Sequence, residues 1–364
     1  MKNQIVFFVP ALSQPRCVKR ISAFHKQGYK CIVYGYNRGN YDVNEYPEDV
    51  TIITLGTLED GGGYLQKLVS ARKVVSAVVK TRSKECSLYY SFGFMFALIL
   101  RIKGVKFIYE ISDIFYAYPK FSRIGWLLKI IDTFIIKKSY RTILTSNGFL
   151  RYYGLTDSQK IIVLPNKVSP RLVSLSSRQP LQLVSNRIRF AFVGGIRYES
   201  VYRFAETIGK FFPQHSFSFY GTCSKAVSEK LHFESLKDRY QNIYWNGVYK
   251  NPEDLSRVYS EVDVIVACYD IDSLNERIAE PNKLYEALYF CKPIIVSEGI
   301  YLSERVNELR CGFTIDAKCE ESIKSFITSI DYDLINRVSQ HELEMPLGVM
   351  VDNSEDIISR VVSK

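Results

Sequence analysis

The chain is organised around one run of residues, Glu280-Pro281-Asn282-Lys283-Leu284-Tyr285-Glu286-Ala287-Leu288-Tyr289-Phe290-Cys291-Lys292-Pro293-Ile294-Ile295-Val296-Ser297. Pro281 suits the first helical position, where a missing N–H is no loss. Leu284, Leu288 and Cys291 then recur at helical spacing. Lys292-Pro293 ends the helix. Ile294-Ile295-Val296 is a short apolar run of the kind found in strands covered on both faces. Loop, helix, turn and buried strand, in that order, are one unit of an α/β protein. The helix N-terminus points out of a sheet crevice and carries Lys283 one turn before Glu286. Such a terminus attracts anions. A lysine there adds a point charge for phosphate, and a carboxylate one turn on can accept two hydrogen bonds from a ribose diol.

Outward from this stretch the same grammar repeats. Residues 4–9 read as a buried strand, 15–27 as a helix and 30–36 as the next strand, a βαβ unit and hence a parallel, doubly wound sheet. The first turn holds Ala11-Leu12-Ser13 and no G-x-G-x-x-G, which argues against a dinucleotide site there. Strands follow at 51–55, 88–91, 106–111, 141–146 and 160–164, with helices at 64–82 and 93–103. Glu59-Asp60-Gly61-Gly62-Gly63 reads as a flexible loop or an anion cradle. Residues 115–126 are rich in aromatics and enter a helix to about 140. There Ile124, Leu127, Leu128, Ile131, Phe134 and Ile135 form a stripe among Arg123, Lys129, Lys137, Lys138 and Arg141. That pattern fits an interfacial segment or a core helix with a basic outer face.

Residues 169–186, with Pro170, Pro180 and several serines, read as a linker between a domain at 1–168 and one at 187–345. In the second, a strand at 189–193 runs into Gly194-Gly195-Ile196-Arg197, and a strand at 216–220 runs into Gly221. Asn251 with Pro252 reads as a helix cap. Residues 346–364 end in a helix capped by Asn353-Ser354-Glu355-Asp356.

The totals agree. A chain of 364 residues suggests two cores. Hydrophobic content of 47% and charged content of 24% are ordinary for a globular protein. No apolar run reaches the roughly 20 residues that cross a bilayer, and the N-terminus reads as a strand, not a signal peptide. Eight cysteines show no C-x-x-C, and four histidines form no cluster, so buried thiols in a reducing, cytoplasmic setting are expected. Residues 1–170 carry 25 Lys+Arg against 11 Asp+Glu, +14, while the remainder sums to −4. A basic half beside an acidic one suggests that one domain meets an anionic surface. It does not suggest a nucleic-acid track, for which no repeated basic-aromatic module is present.

The 280–297 block resembles the nucleotide-sugar site of GT-B glycosyltransferases, most of all family 4 retaining enzymes of the bacterial surface-polysaccharide type. Tyr109-Glu110-Ile111-Ser112-Asp113 resembles their E-(I/V)-H-D turn. Thr145-Ser146 and Leu164-Pro165-Asn166 resemble the landmarks before their interdomain linker. Val193-Gly194-Gly195-Ile196-Arg197 resembles the loop that receives the donor diphosphate. The resemblance implies two facing Rossmann-like domains, with a C-terminal helix crossing back to the first.

It also implies transfer of a sugar from a nucleotide-sugar, UDP by family frequency, without metal or cofactor. The acceptor would be a lipid-diphosphate-linked saccharide reached from the inner membrane face, where the enzyme would sit as a peripheral protein. Donor contacts would come from Gly194, Gly195, Arg197, Gly221, Pro281, Asn282, Lys283, Leu284 and Glu286, with Glu286 on the ribose. Arg197, Lys283 and the helix dipole would stabilise charge on the leaving phosphate. Asp113 would take or orient the hydroxyl proton, with Glu110 and Ser112 beside it on the acceptor side.

Three departures stand out. The partner carboxylate expected eight positions before Glu286 falls on Ile278, leaving Glu280 as the nearby catalytic candidate and retention versus inversion open. Ser112 stands where histidine is common, and the first-turn glycines are missing. A GT-B epimerase or hydrolase, or a non-catalytic nucleotide-sugar-binding partner, are the rival readings.

Overall fold

The computed structural model describes residues 4–37, 46–57, 64–82 and 86–362. The Glu59–Gly63 loop lies outside them. The chain divides into two compact units, Met1–Pro165 with Asn353–Lys364, and Asn166–Asp352. Each is built on one parallel sheet.

In the first unit, β1 (Gln4–Val9), β2 (Lys30–Asn37), β3 (Thr51–Thr57), β4 (Cys86–Phe92), β5 (Phe107–Ile111), β6 (Arg141–Leu144) and β7 (Ile161–Val163) pair in the order β3-β2-β1-β4-β5-β6-β7. β1 is buried at all six positions, as a central parallel strand covered on both faces must be. The first βα turn is filled with hydrocarbon. Leu12 is fully buried, and its N–H bonds to the Tyr36 carbonyl at 2.9 Å. Gly35 admits it, since a Cβ there would stand 2.3 Å from Val9 Cγ2 and 2.7 Å from Leu12 Cδ2.

The last helix, Ser354–Val362, belongs to this first unit. Ile357, Ile358 and Val361 join one core with Cys17, Ile21 and Phe24 of the helix Pro15–Lys26. Burying three such side chains stabilises by about 2 kcal/mol each.

In the second unit, β8 (Arg189–Val193), β9 (Ser216–Tyr220), β10 (Ile243–Trp245), β11 (Val264–Ala267), β12 (Ile294–Ser297) and β13 (Gly312–Ile315) pair in the order β10-β9-β8-β11-β12-β13. The order reverses between β8 and β11. Ligands of doubly wound sheets sit outside the strand carboxyl ends at such a reversal. Residues 169–186 are packed into this unit and do not hang between two. Ser169 Oγ accepts from the Arg171 N–H at 3.3 Å to start a helix at Pro170–Leu175. Leu172 and Leu181 enter the core, and the Leu181 N–H donates to Ser339 Oγ at 2.7 Å. The prolines and serines that suggest a linker serve a helix start and an irregular strap. The helix Leu347–Met350 also stays here, with Val168 paired to Val351.

Candidate active site

Three loops leave the carboxyl ends of β8, β9 and β10 and are laced by backbone bonds. Gly194 N–H donates to Tyr220 O at 2.8 Å, Gly221 N–H to Gly247 O at 2.6 Å, and Ile196 N–H to Thr222 O at 2.8 Å. Glycine is required at 221. Its φ is +135°, and a Cβ would fall 1.9 Å from the Gly194 carbonyl oxygen. Gly194 itself has φ +150°, and Lys283 Cε lies 3.5 Å from where its Cβ would be. Gly195 is exposed, with open space where a Cβ would stand. Arg197 is exposed too. Its Nη2 donates to Tyr198 Oη at 2.7 Å and lies 3.6 Å from Glu276.

The helix of the 280–297 stretch runs Asn282–Tyr289, with Pro281 at the capping position just before it and its own Leu284 fully buried. It ends at Tyr289, before Lys292-Pro293, and Cys291 beyond it takes a left-handed φ of 53°. At its start lies a buried polar network centred on Glu286. Asn282 Nδ2 and Asn251 Nδ2 donate to Oε1 at 2.7 and 3.1 Å. Lys283 Nζ and Tyr259 Oη donate to Oε2 at 2.6 and 2.9 Å. Lys283 Nζ also donates to Tyr249 Oη at 3.0 Å.

Glu286 is 2% and Lys283 6% exposed, so this is no solvated surface pair. Burial works against the Lys283 ammonium, but the Glu286 carboxylate outweighs it and holds the lysine above its ordinary pKa.

Glu280, the other expected carboxylate of this stretch, belongs to a separate network. It is 5% exposed, accepts from Tyr285 Oη, and lies 3.4 Å from Arg305 Nε. Burial raises its pKa, and Tyr285 and Arg305 offset only part of that.

In the first unit, Glu110 is fully buried at the end of β5. Arg16 Nε and Arg20 Nε lie 3.4 and 3.2 Å from its two oxygens, and Tyr90 Oη donates to it. Its expected acceptor-side role meets a carboxylate already committed to the core. Ser112 is half-buried, and Asp113 is exposed and accepts from Tyr118 Oη at 2.8 Å.

Tyr249 and Tyr259 are site residues that the sequence pattern does not single out, and Asn251 is one that it assigns to a helix cap. Asn251 caps no helix. The next helix is Leu255–Ser260 with Asp254 at its cap position, and the Asn251 amide goes to Glu286 instead. The sign that was available is position: the loop after β10 leaves a strand carboxyl end, where ligands of such sheets gather.

No family model matches the chain, and no curated protein matches it. Solved structures do resemble it in shape. Sucrose-phosphate synthase from Thermosynechococcus elongatus is 14% identical, covers 98% of this chain and 96% of its own, and gives a TM-score of 0.75. HepE from Anabaena, solved in complex with UDP and glucose, is 13% identical over 100% of both chains, with a TM-score of 0.71. WaaG, a glycosyltransferase involved in lipopolysaccharide biosynthesis, is 13% identical over 99% of this chain and 100% of its own, with a TM-score of 0.67. The architecture of this chain, two parallel α/β sheets of seven and six strands, is the GT-B fold.

Proposed function

We propose that the chain is a family 4-like GT-B glycosyltransferase of bacterial surface-polysaccharide synthesis. It takes a nucleoside-diphosphate sugar, UDP-linked by preference, and passes the sugar to a hydroxyl of a lipid-linked or polysaccharide acceptor. The observation that carries this is the buried Lys283–Glu286 pair at the β8/β11 reversal, with the Lys283 side chain laid against Gly194. It fits a nucleoside diphosphate: backbone at Gly194 and Gly195 for close phosphate approach, and Glu286 for the ribose. HepE was solved with UDP and glucose, which supports that donor class.

In the reaction the bond from the sugar anomeric carbon to the β-phosphate oxygen breaks, and negative charge grows on the diphosphate. Lys283, Arg197 and the first turn of the helix Asn282–Tyr289 supply positive charge there without proton transfer. The acceptor oxygen bonds to the anomeric carbon and gives up its proton, for which Asp113 is the exposed carboxylate at a strand carboxyl end. Glu280, turned into Tyr285 and Arg305, braces the start of the same helix.

The helix Gly125–Lys138 favours the membrane part of the reading. Its inner side carries Asp132, Ile135 and Ile136, while Trp126, Ile130 and Phe134 are 66%, 58% and 48% exposed. Lys120 and Arg123 are exposed just ahead of it. Apolar side chains outward among basic ones suit an anionic lipid surface. No helix among the described residues is long and apolar enough to cross a membrane.

Incubation with UDP-, GDP- and ADP-sugars, with chelator present and with or without a lipid-linked saccharide, tests the proposal. Acceptor-dependent release of the nucleoside diphosphate is expected. No release of nucleoside diphosphate from any of these donors would overturn it.

A further inference from the structure

The Glu286 carboxylate is already full. Its two oxygens offer about four acceptor sites, and four donors take them. Any hydroxyl that is to bond to Glu286 must therefore replace one of the four. The two on Oε2 are fixed. Tyr259 is fully buried, and removing Lys283 would leave a buried charge unpaired, which is strongly unfavourable. The two on Oε1 are neutral carboxamides on half-buried residues. Asn282 is the shorter, at 2.7 Å, and bonds within its own helix four residues on. Asn251 is the longer, at 3.1 Å, and reaches in from the loop after β10. That loop holds its own shape, with the Lys250 N–H on Asp254 Oδ2 at 2.8 Å and the Asp254 N–H on Lys250 O at 2.9 Å. The Asn251 side chain can leave Glu286 without taking the loop apart.

We propose that the Asn251 amide stands in the place that the ribose diol of the donor takes on Glu286 Oε1. Nucleotide binding then exchanges one donor for another, and Asn251 determines how strongly the site prefers a ribose diol. This rests on the assignment of Glu286 to the nucleotide. A hydrogen bond to a carboxylate is worth more than a neutral one, so Asn251 subtracts from nucleotide affinity what it must give up. It also keeps Oε1 bonded when no diol is there, at little cost once its own amide returns to water.

Isothermal titration with UDP, GDP and ADP, and with the 2′,3′-dideoxy form of whichever binds, separates the outcomes. Asn251→Ala is expected to bind the ribonucleotide about tenfold more tightly and the dideoxy form no differently from the wild type. Asn251→Ser, too short to reach Glu286 but still polar, is expected to move in the same direction and covers the case in which the alanine variant does not fold. Binding seen only in these variants and not in the wild type also supports the exchange. Equal weakening of both nucleotides would make Asn251 a structural brace, and unchanged binding of both would make it a bystander; either overturns the proposal while leaving Glu286 as the nucleotide ligand. If no nucleoside diphosphate binds the wild type or either variant, the nucleotide reading itself falls, and the exchange with it.

Discussion

Lys283 Nζ lies 2.6 Å from Glu286 Oε2, one helical turn apart, with side chains 8% and 2% exposed. Removing one partner of a buried pair strands the other charge, at a cost of about 3–5 kcal/mol, whereas removing both is far milder. Lys283→Met and Glu286→Gln are each expected to lower unfolding free energy by about 3 kcal/mol in urea titrations. The double variant should recover at least half of the summed loss. All three should lose the thermal shift given by a nucleoside diphosphate. A Glu286→Gln protein that keeps full nucleotide binding would remove Glu286 from the site.

Gly221 and Gly195 make opposite predictions although both lie in the same set of loops. A methyl at 221 meets the Gly194 carbonyl at 1.9 Å and demands a left-handed φ, while a methyl at 195 meets open space. Gly221→Ala should destabilise by roughly 2 kcal/mol or more, since backbone must move. Gly195→Ala should leave the melting midpoint within the ordinary scatter of a surface change. It should still weaken nucleotide binding several-fold, because backbone approach to a diphosphate is what the glycine permits. Unchanged affinity in Gly195→Ala would move the diphosphate away from this loop.

Much of this was legible because it rests on local pattern. The strand at 189–193, the helix at 64–82 and the glycines at 194 and 221 stand where alternation, periodicity and turn chemistry put them. The Lys283–Glu286 spacing is a property of one helical turn. Asn251 and Tyr259 were not legible in the same way, since they reach Glu286 across 35 and 27 residues and no local pattern encodes that meeting.

The helix Gly125–Lys138 misled for a different reason. Its apolar residues run nearly all the way round, so periodicity assigns Ile124, Leu127, Phe134 and Ile135 to one stripe. The structure divides them, with Ile135 inside and the other three exposed. The divider is Asp132, which turns inward because Tyr109, Tyr116 and Tyr153 supply it with hydroxyl donors.

That outward apolar face gives a measurable expectation. The triple change Trp126→Ser, Ile130→Ser and Phe134→Ser removes side chains that are each worth about 1.5–3 kcal/mol when fully buried in an apolar phase. Partial insertion still predicts at least a tenfold fall in binding to anionic liposomes in a sedimentation assay. Wild-type binding should weaken as salt is raised, because the basic residues contribute through screened attraction. Transfer to a water-soluble acceptor should be unaffected. Liposome binding that survives the triple change would assign the face to some other partner.

Asp132 carries the pH prediction. Burial raises its carboxyl from 3.8 to about 6, against three tyrosine hydroxyls that pull the other way. The folded pKa thus lies above the unfolded one, and folding favours the neutral acid. The contribution of this group is fully present below about pH 4 and is lost as pH rises through about 6. A shift of that size corresponds to about 3 kcal/mol. Asp132→Asn keeps a carbonyl for the tyrosines but has no proton to lose. In urea titrations the stability of the asparagine variant relative to wild type should therefore rise by up to about 3 kcal/mol between pH 4 and pH 7. A difference between the two proteins that stays constant over that range would mean that Asp132 ionises in the folded protein as it does in the unfolded chain.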